Sequence, residues 1–382
     1  MATLRMLSAG LAAALSAALT ATTLAVLSPA TATEPDTDDP GDQPGPAAIY
    51  LVTLTGPGTS GSGADLFGAA RMHADQDAVL DSVGGAEPVY RWTTALNGFA
   101  VRLSAEQAAG LRTDPRVALV ERNAVRPLAG RRPTATGVLG PGGTSRGGAG
   151  VVVGLVDSGL WPDSPLFSAV SGLGRAPGGF TGTCETGAGW SEDACNGKVV
   201  GARWFVHGFG ADRLRSASSL SPLDDDGHGT QVASIVAGNA DVPARVRGQR
   251  VGSYTGVAPQ ARLAVYKACW SAPDPRDDGC ASADLVAAID AATADGVDVL
   301  NLSVGGPARL DTVERALLGA TEAGVVVVGA AGNAARSPAA HRDPWVTTVG
   351  ATTGPERRGR VMLPDGVSYA GAMAASRGVG PA

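Results

Sequence analysis

The apolar and polar positions divide the chain into a leader, two folded blocks and two polar joints. Leu7 to Leu19 is rich in Leu and Ala, follows the positive Arg5, and precedes the small-x-small Ala30-Thr31-Ala32. That order predicts an export signal over residues 1–32 that is removed from the mature chain. Ser8, Gly10, Ser16, Thr20, Thr22 and Thr23 interrupt the stretch up to Leu27, so it makes a weak membrane span. Residues 33–47 are rich in Asp, Pro and Gly with no apolar period, the pattern of a flexible linker.

Residues 48–126 carry short periodic segments. Ile49 to Val52 reads as a strand, Ala78 to Val83 as helical, and Phe99 to Leu103 alternates as a strand does. Ser104 and Gln107 have capping-box spacing, and Val117 to Val120 predicts another strand. Strands and helices mixed over so short a length predict a small α+β unit. Residues 127–149 are rich in Gly, Pro and Arg and read as an exposed linker.

From residue 150 onward, strand and helix alternate. Val151 to Val156 is a continuous apolar run, as in a strand buried on both faces. Leu263–Tyr266, Val297–Leu302, Val325–Val328 and Trp345–Val349 are further strands. Between them, Leu285, Ala288, Ile289 and Ala292 stripe one helix, and Val313, Ala316, Leu317 and Ala320 stripe another. This β-α-β alternation over 150–382 predicts an α/β fold with a parallel sheet, whose chemistry collects at the carboxyl ends of the strands.

Composition narrows the functional classes. The formal charge is −6, and lysine occurs only at Lys198 and Lys267. Without a basic block the chain is a poor nucleic-acid binder. Glycine makes up 54 of 382 residues, about twice the usual ~7%, which suggests tight functional loops. No other run approaches ~18 apolar residues, so no membrane contact is expected once the signal is removed. Cys184, Cys195, Cys269 and Cys280 form two C-x10-C pairs. No C-x2-C and no histidine close in sequence supports zinc, so structural disulfides of an exported protein are expected, with three connectivities open.

Three polar signals follow apolar runs. Asp157 stands in Asp157-Ser158-Gly159, directly after the Val151–Val156 run. His228 lies between Gly227 and Gly229, after the acidic Asp224-Asp225-Asp226 and at the start of an apolar helix. Asn333 ends Ala330-Ala331-Gly332-Asn333 after the Val325–Val328 strand, where its amide can donate to a developing oxyanion. Singly, each reads as a turn, cap or structural residue.

Together the three resemble the subtilisin-like serine proteases (subtilases). Val156-Asp157-Ser158-Gly159 is similar to the family's Asp motif, Gly227-His228-Gly229-Thr230 to its His motif, and Ala331-Gly332-Asn333 to its oxyanion motif. The resemblance implies a secreted serine endopeptidase with His228 as general base, Asp157 orienting it and Asn333 stabilising the oxyanion. Asn301-Leu302-Ser303-Val304-Gly305-Gly306 resembles the strand that pairs with substrate backbone, which marks Ser303, Val304, Gly305, Ala331 and Gly332 as substrate-binding. Leu160 to Pro165 and Cys195-Asn196-Gly197-Lys198 are closest to the cucumisin-like subgroup, whose disulfides would correspond to Cys184–Cys195 and Cys269–Cys280. Asn97 to Val101 and Asp114 to Val117 resemble the inhibitory prodomain of these enzymes, so residues 48–126 are expected to be ferredoxin-like and to act as an intramolecular inhibitor. Polypeptides are the implied substrates. No metal or other cofactor is implied, and a structural calcium is not readable from the residues.

Two departures stand out. Gln231 replaces a second histidine that the family usually carries after Gly-Thr, and the Gly-Thr-Ser-Met-Ala nucleophile motif is absent. Ser368, in Gly366-Val367-Ser368-Tyr369-Ala370, imitates its spacing but has Gly371, Gly378, Gly380 and Pro381 where a long helix would have to follow. Gly143-Thr144-Ser145 is a weaker decoy. The peptidase block is therefore expected to stop before its nucleophile and to be inactive as it stands; a non-catalytic, peptide-binding remnant is the rival reading. An aspartic protease would need a second Asp-Ser/Thr-Gly, and a dinucleotide site would need G-x-G-x-x-G after the first strand; neither is present.

Overall fold

The computed structural model describes residues 46–61, 67–129, 146–246, 248–333, 338–351, 358–362 and 368–372. Residues 1–32, expected to be an export signal, most of the expected first linker and residues 130–145 lie outside them.

The amino-terminal unit contains β1 (Ala48–Pro57), α1 (Gly68–Asp81), β2 (Pro88–Trp92), β3 (Leu96–Leu103), α2 (Ala105–Leu111), β4 (Val117–Arg122) and the short β5 (Val125–Arg126). The first four strands form an antiparallel sheet in the order β2-β3-β1-β4. The run Ile49–Leu54 is buried throughout because this sheet is covered on both faces. Tyr50, Val52 and Leu54 pack with Val79, Leu80 and Leu111 of the unit's own helices. Ile49 and Leu51 point the other way, into a core shared with the rest of the protein. The capping box is present: Ser104 Oγ accepts from Gln107 N at 3.1 Å, and Gln107 Oε1 accepts from Ser104 N at 2.9 Å. Helix α1 begins ten residues earlier than the sequence suggested. Its Gly- and Ala-rich first turns carry little apolar periodicity, and only Gly68, Met72, Gln76, Val79 and Leu80 are buried.

The larger unit comprises β6 (Val152–Asp157), β7 (Val199–Trp204), α3 (His228–Ala237), β8 (Val242–Val246), β9 (Gln249–Tyr254), β10 (Arg262–Lys267), β11 (Cys269–Trp270), β12 (Gly279–Ala281), α4 (Ser282–Asp295), β13 (Val299–Leu302), α5 (Thr312–Glu322), β14 (Val326–Ala330), β15 (Val346–Val349), β16 (Arg358–Met362) and β17 (Ser368–Ala372). Six strands make the parallel sheet β15-β14-β13-β6-β10-β7. β6 and β10 are buried at every position because helices cover both sheet faces. Val152 and Val156 face α4 and α5, whereas Val153 and Leu155 face α3, Phe167 and Trp190. The fold is α/β, a parallel sheet with helices on both faces preceded by a small α+β unit. The hairpins β8–β9 and β16–β17 stand apart from it.

The small unit sits on α4 and α5. Asp290 of α4 accepts from the backbone N–H groups of Thr94 (2.9 Å) and Ala95 (2.7 Å). Tyr90 donates to Asp284 at 2.8 Å, and Glu121 accepts from Thr312 N at 2.8 Å. Burial raises the carboxyls of Asp284 and Asp290 to about 6, against the opposing effect of these donors. Gly319 of α5 lets the two backbones meet, since a Cβ there would collide with the carbonyl oxygen of Ala95.

Gly319→Ala should therefore loosen the docked unit even though alanine favours the helix by about 1 kcal/mol. Hydrogen exchange at the Thr94 and Ala95 amides should rise roughly tenfold or more while the amides of β10 stay protected. Unchanged exchange at Thr94 and Ala95 would contradict this account of the contact.

Candidate active site

The carboxyl edge of the parallel sheet carries the polar residues. β6 ends in Asp157, whose side chain is buried and whose Oδ1 accepts from Ser158 N at 2.7 Å. His228 is the first residue of α3, and Gly227 precedes it at φ 96°, a conformation that favours glycine. The helix approaches β6 closely because Gly229 has no side chain; a Cβ there would lie 2.2 Å from Gly159 O. The result is a contact of 2.6 Å between His228 Nδ1 and Asp157 Oδ1.

The loop leading to His228 is fixed from below. Asp224 accepts from Ser158 Oγ (2.9 Å), Gly227 N (2.8 Å) and both Thr230 N (2.9 Å) and Thr230 Oγ1 (2.6 Å). Burial alone would raise its carboxyl, but these donors hold it below the ordinary value. Lys267, at the end of β10, is buried and donates to Asp225 Oδ2 at 2.9 Å and to the carbonyl of Leu223. The other lysine, Lys198, is also buried and donates to Pro259 O (2.8 Å) and Ala261 O (2.7 Å). Both lysines of this lysine-poor chain thus serve as internal ties.

Residues 127–129 depart from the exposed linker that their composition predicts. β5 pairs antiparallel with β12, setting Arg126 against Cys280 and Val125 against Ala281. The chain then runs antiparallel to the segment after β13: Gly305 N donates to Pro127 O at 2.8 Å, Leu128 bridges Val304, and Ala129 N donates to Ser303 O at 2.8 Å. Segment 125–129 is thus flanked by backbone on both sides, and Leu128 is buried. Ser303, Val304 and Gly305 all contact backbone of this occupying segment.

The tail ends on His228, where Ala129 O lies 2.6 Å from Nε2. A carbonyl oxygen only accepts, and Asp157 Oδ1 already accepts from Ser158. Nε2 must then carry hydrogen, and with Asp157 ionised Nδ1 carries one as well, so that the ring is an imidazolium. Burial pulls the pKa of His228 down, but the bonds to Asp157 and Ala129 outweigh it and raise it to about 9. Burial also raises the carboxyl of Asp157, against the attraction of His228.

Asn333 is exposed at the turn after β14, next to Gly332 at φ 91°. Ala331 is tied into that turn through its N–H to Val349 O at 2.9 Å. β14 is separated from β6 by β13, so Asn333 and Asp157 end strands on one edge of the sheet. Among the described residues, no hydrogen bond joins Asn333 to His228 or Ala129. Ser368 opens β17, paired with Met362 in a hairpin, rather than heading a helix. Ser145, Ser337 and Ser376 lie outside the described residues.

The cysteines join as Cys184–Cys195 and Cys269–Cys280. The second bond ties β11 to β12, the strand against which the tail lies. Among the described residues no group of three or more His, Cys, Asp or Glu could hold a metal ion, and no helix is long and apolar enough to cross a membrane.

Sequence comparison matches residues 148–376 to the Subtilase family and residues 50–129 to Peptidase inhibitor I9. Subtilisin-like protease SBT1.4 of Arabidopsis thaliana is 38% identical over 281 residues, covering 69% of this chain and 35% of the relative. Subtilisin-like protease SBT1.7 of the same plant is 39% identical over 293 residues, covering 72% of this chain and 38% of the relative. The chain thus spans about a third of the length of these curated relatives. Fervidolysin of Fervidobacterium pennivorans, described as a keratinolytic enzyme related to subtilisin, matches in structure with a TM-score of 0.44 at 17% identity, covering 78% of this chain and 41% of that one.

The geometry around His228 predicts a specific titration. In the whole chain His228 should remain protonated at pH 7.5 and titrate near 9, read from its ring nitrogens by NMR. A raised histidine pKa adds stability that is complete below the unfolded value near 6.5 and is lost as pH rises through about 9. Asp157→Asn should bring the titration down to about 7 or lower. Titration near 6.5 in the unaltered chain would show that the ring is not held between Asp157 and Ala129.

Proposed function

Because the chain belongs to the subtilase family, we propose that it is the amino-terminal part of an exported serine endopeptidase precursor, with residues 48–129 as its intramolecular inhibitor. The observation that carries this reading is the Ala129 carbonyl on His228 Nε2, in a segment held by backbone pairing as a peptide substrate would be. The two disulfides and the leader-like residues 1–32 support export.

In the working enzyme Asp157 holds the Nδ1–H tautomer of His228. Nε2 is then free to take the proton of a serine hydroxyl as its oxygen attacks the scissile carbonyl. Asn333 donates to the oxyanion that forms. With the tail seated, Nε2 already carries hydrogen and donates to Ala129, so the base is occupied as well as the groove. None of the serines after Asn333 stands in a nucleophile motif, so the serine would come from sequence beyond this chain. As given, residues 1–382 would not hydrolyse peptides.

A chimera that continues this chain with the carboxyl-terminal part of SBT1.4 tests the proposal. It should cleave peptides and react with a serine-directed fluorophosphonate, whereas the present chain should do neither. In the chimera, His228→Ala should lose several orders of magnitude in kcat/KM. Asn333→Ala should lose roughly 10²- to 10³-fold, the magnitude known for this donor in subtilisin itself. Labelling of the present chain at Ser368 would overturn the assignment. A folded but inert chimera would favour a peptide-binding remnant.

A further inference from the structure

Four residues of the tail, Arg126-Pro127-Leu128-Ala129, lie in the groove, and Arg126 is the only one that is charged. Its side chain is 8% exposed and enters a pocket where its two polar partners, Asp311 and Ser282, belong to the larger unit, while Glu121 of the small unit also lines the wall. Nη2 donates to Asp311 Oδ2 at 2.7 Å, and Nε points to Ser282 Oγ at 3.3 Å. Gly306 makes room, since a Cβ there would lie 2.8 Å from Nη1. Asp311 is 2% exposed, and its other oxygen caps α5 by accepting from Val313 N (3.1 Å) and Glu314 N (3.2 Å). The nearby cation Arg309 lies at the rim and is paired with Glu121 of the small unit at 3.1 Å.

This arrangement has consequences for whatever replaces the tail. Once Arg126 leaves, Asp311 Oδ2 loses the cation that pairs with it and must be rehydrated or paired again. A peptide bringing a guanidinium to the same register restores the pair; one bringing a neutral side chain does not. Lysine fits less well, because the site takes both Nε and Nη2 and an ammonium has no such fork. Resting on the reading of this groove as a peptidase cleft, we propose that Asp311 is a specificity-determining residue. It selects polypeptides with arginine three residues before the residue whose carbonyl meets His228. The tail carries that arginine at position 126 and is thereby matched to the groove that it blocks.

The test uses the whole chain with its tail weakened by Arg126→Gln and Leu128→Gly. Acetyl-Arg-Pro-Leu-Ala-amide and acetyl-Gln-Pro-Leu-Ala-amide are titrated against the His228 ring signals, which report a carbonyl arriving at Nε2. The arginine peptide should bind roughly tenfold tighter or more, as a desolvated charge pair does. Adding Asp311→Asn should reduce the ratio to about one. Asp311→Ser, which keeps an oxygen for capping α5, should do the same and guards against a folding defect. Equal binding without the Asp311 change, or a preference that survives both changes, would overturn the proposal. If neither peptide shifts His228 in a folded chain whose Ala129 N–H exchanges freely, so that the tail has left the groove, the cleft reading itself fails and the proposal falls with it.

Discussion

The organisation of the molecule turns on one imidazole held between two acceptors. Asp157 Oδ1 and Ala129 O each lie 2.6 Å from a ring nitrogen of His228, and they come from opposite ends of the architecture. Asp157 is delivered by a strand of the parallel sheet that is buried at every position, and Ala129 is the last described residue of the small unit's tail. For both to meet the ring, α3 must start at a left-handed glycine, the Asp224 loop must be tied by Lys267, and the tail must run between two backbones. The small unit's position on α4 and α5 fixes where that tail begins.

The same geometry joins folding to restraint. The face of the small sheet that carries Ile49 and Leu51 is completed by α4 and α5, so the unit is docked by the apolar burial that also covers the larger unit's helices. Asp290 and Glu121 then accept backbone donors from across the contact, which sets register more than affinity. A segment docked this way reaches the groove at high effective concentration, so its four residues need little affinity of their own to occupy it.

Much of this was legible in the residues. The buried Val151–Val156 run, the helix stripes and the Ser104–Gln107 cap each depend on neighbours close in sequence, and local pattern reports them. Asp157 and His228 were legible because glycines and an acidic loop mark them out, although their contact spans 71 positions. Residues 127–129 were not. A Pro/Gly/Arg-rich stretch has a linker's composition whether or not a groove receives it, and its partners lie near residue 304. The pairing of Arg126 with Asp311, 185 positions apart, carries no local signal at all. The buried roles of Lys198 and Lys267 had only one trace, the rarity of lysine.

The central claim is that residues 125–129 occupy the groove as an ordered strand in the unprocessed chain. Site-resolved amide hydrogen exchange of the Ala129 N–H, which donates to Ser303 O at 2.8 Å, tests it most directly. The account predicts protection comparable to the amides of β12, within about tenfold. Exchange at the rate of an unstructured peptide, with β12 still protected, would contradict it and return the segment to the status of a linker.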